Sequence, residues 1–269
     1  MNTLKQIKLP NKFLLRKKNT LFIGKVFQEF PSLPSTNLYA MELLSKSKPN
    51  EGTVISALHQ TAGRGQIGSS WEANPGQNLT LSVILYPTFL AARRQFLLTQ
   101  AVALAVKDFI TRYTEKTVNV KWPNDIYIDD DKVAGILIQT TLSSKGFQNC
   151  VVGVGINVNQ QEFGPLLPNP TSLSLATGRA YELPPLIDAF CQALEQRYLQ
   201  LKSGNRAAIG EEYLQHLYRM SQQTLFERPG GERFSGVIEG VNEAGQLLIR
   251  HSGGEEAFHL KEIRMAGAP

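Results

Sequence analysis

Between Gln60 and Trp71 the chain reads Q-T-A-G-R-G-Q-I-G-S-S-W, so that Gly63, Gly65 and Gly68 surround a single guanidinium, Arg64, and the run closes on an indole. Glycine reaches positive φ without steric cost, which lets such a run fold tightly and turn successive backbone N–H groups toward an anion. Arg64 adds a planar fork matched to a carboxylate or a phosphate. A flexible surface loop is the other reading of a glycine-rich stretch. The flanks constrain the choice: Gly52 to Leu58 is a short buried strand that runs directly into the loop, and Leu79 to Leu85 resumes a strand after it.

The rest of the chain alternates strand and helix patterns. Phe22 to Phe30 has the two-residue alternation of a strand, and P-S-L-P-S-T-N then breaks it. Ser35 is placed to cap a helix over Thr36 to Ser45. Ala91 to Tyr113 carries apolar residues at helical spacing, and helices are also expected at Pro184 to Leu201 and Arg206 to Leu217. Val118 to Trp122 and Ile126 to Ile128 are strand pieces ending in the turn Asp129-Asp130-Asp131. Lys132 to Thr140 returns as the second arm of a hairpin, and Cys150 to Val158, C-V-V-G-V-G-I-N-V, is a buried strand whose glycines admit a close neighbour. After Met220 short strands at Phe234 to Ile238, Gln246 to Arg250 and Glu256 to Leu260 predict a small β-barrel. The expected class is α+β: a mixed sheet flanked by helices over 21–217, then a small β unit over 218–269.

A length of 269 residues suits a main domain and a smaller one. No run approaches the length of a membrane span. The net charge of +5 invites a nucleic-acid partner, yet Lys5, Lys8, Lys12, Arg16, Lys17 and Lys18 all fall in residues 1–20, without an acid. Removing those six from 28 basic residues leaves 22 against 23 acidic ones, so the body is neutral and the charge belongs to a tail. Twenty residues are too few for a helix-turn-helix domain, and no sequence-specific DNA binding is expected. Cys150 and Cys191 lie in apolar surroundings without metal-ligand spacing, as buried thiols of a cytoplasmic protein would.

Five blocks in order carry a resemblance: S-T-N at Ser35 to Asn37, G-R-G-Q-I-G-S-S-W at Gly63 to Trp71, K-W-P-N-D at Lys121 to Asp125, K-V-A-G-I-L at Lys132 to Leu137, and G-V-G-I-N at Gly153 to Asn157. Together they resemble the biotin protein ligases, which attach biotin to a lysine of carboxylase carrier domains. The resemblance implies a catalytic domain similar in fold to the lipoate ligases and class II aminoacyl-tRNA synthetases, with a small SH3-like C-terminal domain. It also implies ATP as co-substrate, with Mg²⁺ held mainly by the ATP phosphates and no protein metal site, and a biotin carboxyl carrier domain as partner. A homodimer is possible in such a family.

Two anions, a carboxylate and the α-phosphate of ATP, must meet in that chemistry, so cations aimed at the developing charge are required. Arg64 and Lys132 are the expected cations; taken alone, Lys132 is equally a surface lysine closing a hairpin. Asp125 is the expected base or orienting carboxylate for the carrier amine, and a turn residue on its local sequence. For the biotin side the candidates are Ser35, Thr36, Asn37, Gln60, Gly63, Arg64, Lys132, Gly135 and Gly155. For ATP or the adenylate they are Arg64, Gly65, Gln66, Trp71, Asn124, Lys132 and Asn157. Ser35 also reads as a plain helix cap, and Trp71 as core filler instead of a face for adenine.

The chain departs from the family pattern at Gln66, where many members carry a second arginine, and the expected consequence is weaker electrostatic retention of the adenylate. A lipoate or octanoate ligase is the nearest rival reading; the polar S-T-N and Gln60 favour a ureido ligand over a dithiolane. A non-catalytic biotin sensor is the third, and the combination of Arg64, Asp125 and Lys132 argues against it.

Overall fold

The structure, a computed structural model, describes residues 19–66, 68–143, 146–165 and 167–266. A seven-stranded sheet is built from β1 (Phe27–Phe30), β2 (Val54–Ala57), β3 (Leu79–Leu85), β4 (Val118–Lys121), β5 (Asp125–Ile128), β6 (Asp131–Ser143) and β7 (Gly146–Ile156), in the spatial order β1-β2-β3-β7-β6-β5-β4. Only β1 and β2 pair in parallel; the other neighbours are antiparallel. The helices are α1 (Thr36–Lys46), α2 (Gln95–Thr111), the short α3 (Leu173–Thr177), α4 (Leu183–Lys202) and α5 (Arg206–Gln215). A five-stranded antiparallel sheet follows, from β8 (Gln223–Glu227), β9 (Arg233–Val241), β10 (Leu247–His251), β11 (Gly254–Phe258) and β12 (Arg264–Met265), in the order β11-β10-β9-β8-β12.

Strand side chains alternate between faces, and that alternation decides where a site can lie. Leu79, Leu81 and Val83 of β3, Ala134 and Ile136 of β6, and Val152, Val154 and Ile156 of β7 point into the large core with α2 and α4. The opposite face carries a smaller apolar cluster, with Phe30, Ile55, Ile84 and Val151 under Ala40 of α1. Beside that cluster the same face holds polar and glycine positions: Thr80, Ser82, Gly135, Gly153 and Gly155. It therefore has room for something other than core.

The expected strands, hairpin and long helices are present, with shifts that have local causes. The first strand begins at Phe27, not Phe22. The backbone N–H groups of Leu21, Phe22 and Ile23 are instead taken by the Glu195 carboxylate of α4, at 2.6, 2.7 and 2.9 Å. The second helix begins at Gln95, because Ala92–Arg94 is a tighter 3-10 turn. β6 and β7 are both longer than the expected strands Lys132–Thr140 and Cys150–Val158, and they pair with each other as a second hairpin. Sequence patterning missed α3, β8 and β12, each too short or too mixed to show a period. Most of the basic tail, residues 1–18, lies outside the described residues. Among the described residues no helix is long and apolar enough to cross a membrane.

Candidate active site

Strand register assembles the centre of the site. Thr80 of β3 pairs with Gly155 of β7, Gly155 with Gly135 of β6, Gly135 with Asp125 of β5, and Asp125 with Lys121 of β4. Residues directly opposite one another project to one face, so this row sets a hydroxyl, a two-glycine floor, a carboxylate and an ammonium side by side. Trp71 lies on the floor. A Cβ at Gly155 would sit 2.3 Å from its ring and one at Gly135 3.0 Å from it, so glycine is what allows the indole to approach the sheet. The two glycines thus receive Trp71, and both also line the cavity where a ligand is expected. The Trp71 ring nitrogen is buried without a hydrogen-bond partner.

A cavity of about 470 Å³ opens over this row, lined among others by Ser35, Thr36, Asn37, Gln60, Arg64, Gly65, Gln66, Trp71, Asn124, Asp125, Lys132, Gly135 and Gly155. Gly63 and Asn157 do not line it. Gly63 lets the ends of the glycine loop cross: its carbonyl accepts from Trp71 N at 3.1 Å, and a Cβ there would collide with the Trp71 carbonyl. Asn157 is 5% exposed and donates from Nδ2 to the Thr171 carbonyl. That bond braces the segment crossing Lys132, where Lys132 N donates to Asn169 O and Thr171 N to Lys132 O. Asn157 therefore acts on the position of Lys132 and stands outside the cavity.

One end of the cavity is neutral and hydrogen-bonding. Gln60 Oε1 accepts from Thr36 N and Thr36 Oγ1, at 2.8 and 3.1 Å. Ser82 Oγ lies 2.7 Å from Thr36 Oγ1 and 2.6 Å from Asn37 Oδ1. Asn37 Nδ2 donates to Leu137 O and Gln139 Oε1, so both amide ends of this residue are used within the protein. Gly153 is shaped to it, since a Cβ there would fall 2.2 Å from Asn37 Oδ1. Ser35 does cap α1, accepting from Leu38 N, and it also lines the cavity.

The other end is cationic. Lys132 Nζ forms an ion pair with Asp125 Oδ1 at 2.7 Å. Arg64, in a loop pinned by Gly65 N to Ser69 O and Ser69 N to Gln66 O, is exposed and shows no ion pair among the described residues. Asn124 exchanges bonds with Ile136, through its N–H₂ and its carbonyl, and so ties the turn between β4 and β5 to β6.

Several residues of this end escaped the sequence reading. Lys121, the first residue of the K-W-P-N-D block, lines the cavity, donates to the Tyr127 hydroxyl at 2.8 Å and stacks over that ring. Burial pulls the Lys121 ammonium below the ordinary lysine value; Asp125 opposes the shift, and Lys132 and Arg219 add to it. The period-two pattern of β3 could have pointed to Ser82. Nothing local marked Lys261 and Arg264 of the C-terminal unit, which also line the cavity; Lys261 Nζ lies against the loop at Gly68, and Arg264 bonds Glu227. Trp122 ties the two units, donating from its ring to the Gly245 carbonyl at 2.9 Å. Among the described residues no cluster of His, Cys, Asp and Glu is arranged to hold a metal ion.

Comparison with known proteins agrees with this geometry. A model of the "Biotin/lipoate A/B protein ligase family" matches residues 29–157. The "Bifunctional ligase/repressor BirA" of Bacillus subtilis is 31% identical over 237 residues, spanning 87% of this chain and 72% of that protein. The "Biotin--[acetyl-CoA-carboxylase] ligase" of Paracoccus denitrificans is 28% identical over 222 residues, 79% of this chain and 90% of that one. Among solved structures, the biotin protein ligase from Aquifex aeolicus in complex with biotin and ATP superposes with a TM-score of 0.73 at 24% identity, over 89% of this chain and 97% of that chain. At that identity the superposition speaks for the fold.

Proposed function

The chain belongs to the biotin/lipoate A/B protein ligase family, and from that premise we propose that it activates biotin with ATP as biotinyl-5′-AMP and transfers the biotinyl group to a lysine of a biotin carboxyl carrier domain, such as that of acetyl-CoA carboxylase. The observation that carries the reading is the meeting, in one cavity, of a neutral hydrogen-bonding pocket and a cationic end that includes Arg64, Lys121 and Lys132.

In the first step a carboxylate oxygen of biotin attacks the α-phosphorus and pyrophosphate leaves. Catalysis here rests on positioning and on fixed positive charge. Lys132 is held by Asp125 and by the strap that Asn157 braces; Arg64 reaches the same space from the loop. When bound with ATP, Mg²⁺ would neutralise phosphate charge, carried on the phosphates themselves. In the second step the neutral amine of the carrier lysine attacks the acyl carbon and AMP leaves. Asp125, already at the cavity wall, receives the ammonium proton. One carboxylate thus orients the cation in the first step and serves as base in the second.

The biotin end is read as Ser35, Thr36 and Gln60, with Asn37 and Ser82 setting their positions. Trp71 offers its face to the adenine. Polar groups of this kind reject analogues that cannot satisfy them, and they favour the ureido ring over lipoate. Residues 21–217 act as the catalytic unit and 218–269 as a smaller unit that closes one cavity wall. The setting is the cytoplasm, where Cys150 and Cys191 remain buried thiols. Assembly as a homodimer through an open sheet edge belongs to the same proposal, and sedimentation tests it. Isotope exchange between pyrophosphate and ATP that requires biotin, and does not occur with lipoate, supports the assignment; exchange with lipoate alone contradicts it.

A further inference from the structure

A second cavity, of about 510 Å³, lies away from the first, between the N-terminal halves of α2 and α5 and the β9–β10 turn. Its polar lining is built for an anion. Arg94 immediately precedes α2 and Arg206 opens α5. Both helices start without a side-chain cap and without an acid in the first turn, so no side chain offsets their positive dipole ends. Gln100, one and a half turns into α2, is only 6% exposed, lines the cavity and has no hydrogen-bond partner among the described residues. Arg206 Nε is likewise buried and unpartnered, while its NH2 donates to Phe89 O at 3.3 Å. Buried polar atoms without partners are uncommon in folded proteins, and Arg206 Nε is one of them, bordering the same cavity as the largely buried Gln100. A single carboxylate, Glu243, lies at the rim; it is exposed and forms no ion pair with either arginine. The remaining wall is apolar, from Phe96, Leu97 and Val241.

We propose that this cavity binds a small organic oxyanion, its charged head between Arg94, Arg206 and the Gln100 amide and its body against Phe96 and Val241. The site also communicates with the active centre. Asn242, in its wall, scaffolds the β9–β10 turn by accepting from Ala244 N and Gln246 N on its side-chain oxygen. Gly245 in that turn packs so closely on Phe96 that a Cβ would lie 2.7 Å from the ring, and its carbonyl holds the Trp122 indole. Trp122 precedes the turn that presents Asp125. An occupant that moves Phe96 or Asn242 therefore shifts the anchor of the active-site turn.

The test uses the full chain with its main cavity filled by biotin and a non-hydrolysable ATP analogue, titrated with inorganic phosphate and, separately, with benzoate. Calorimetry gives the affinity. Emission in a Trp71→Phe background reports Trp122 alone, because the chain has two tryptophans. The expected result is saturable binding of at least one probe, a matching change in Trp122 emission, and affinity weakened about tenfold or more by Arg206→Gln and by Arg94→Gln, in line with losing a charge-assisted bond. Phosphate alone would identify a phosphate head, and benzoate alone a carboxylate with an apolar body. Gln100→Leu provides a variant that keeps both charges and should weaken binding too. No saturable binding of either probe, or the same affinity in all three variants, overturns the site; binding without a Trp122 response overturns the coupling.

Discussion

Lys132 Nζ and Asp125 Oδ1 meet at 2.7 Å, although one is the second residue of β6 and the other opens β5. The β5–β6 register pairs Asp125 with Gly135, and a shift in that register between Ile126 and Tyr127 brings Lys132 opposite Tyr127. The irregularity at the hairpin, and not chain proximity alone, points the ammonium at the carboxylate. Lys132→Met should slow biotinyl-adenylate formation by roughly 10²–10³, the usual cost of removing a group that stabilises transition-state charge. Asp125→Ala should slow transfer to the carrier more than adenylate formation. Single-turnover measurements of the two steps decide this, and equal loss in both contradicts the role given to Asp125.

Trp71 depends on its glycine floor. Gly155→Ala places a methyl within 2.3 Å of the ring and should dislodge it, raising KM for ATP about tenfold in keeping with overpacking costs. Gly135→Ala, at 3.0 Å, should do the same more weakly. Unchanged KM and unchanged indole emission in Gly155→Ala would place Trp71 elsewhere.

Gly153 and Asn37 form a matched pair. Gly153→Ala should weaken biotin binding and lower stability by about 1–3 kcal/mol, because its Cβ would displace the Asn37 side chain that positions Ser82 and Thr36. In an Asn37→Ala background the same substitution should cost much less. Calorimetry of biotin binding and thermal unfolding of the four proteins close this cycle; additive losses would show the two residues to be independent.

Lys121 supplies a pH signature. Its folded value lies below that of a free lysine, so the cavity loses a positive charge at a lower pH than exposed lysines do. KM for ATP should rise as pH increases through that lowered value, and Lys121→Arg, which stays charged, should remove the rise. Stability has the opposite dependence. The unfolded chain holds this proton more tightly, so the Lys121 contribution to stability increases with pH between the folded and unfolded values. A KM profile identical in Lys121→Arg and the parent would separate Lys121 from the nucleotide.

Glu195 is the tie for the chain ahead of β1. Glu195→Gln retains one acceptor oxygen where two now receive three N–H groups, and should lower stability by about 1–3 kcal/mol. Turnover per folded molecule should be unaffected. An unchanged melting temperature would show that the clamp adds nothing.

Much of this molecule was legible before the structure. The β3 strand, the hairpin carrying Asp125 and Lys132, and the long helices follow from periodicity, and the glycine loop and the K-W-P-N-D block both contribute to the cavity lining. What the sequence could not show is cross-strand register. Nothing in the spacing of Thr80, Gly155, Gly135, Asp125 and Lys121 says that they form one row, so neither the place of Lys121 in the cavity nor the approach of Trp71 to Gly135 and Gly155 can be read from it. Asn157 shows the same limit: its motif runs beside the site, while its Nδ2 bonds the Thr171 carbonyl, a partner that no spacing reveals. Lys261 and Arg264 reach the cavity only through the packing of the second sheet on the first, which leaves no local pattern.

Joining biotin to a carrier lysine changes the mass of the carrier. Intact-mass measurement of a biotin carboxyl carrier domain incubated with the protein, biotin and MgATP tests it most directly. A carrier heavier by one biotinyl group, dependent on ATP and abolished when its target lysine is replaced, is the predicted result. A carrier of unchanged mass under conditions where the protein is folded and binds biotin would contradict it.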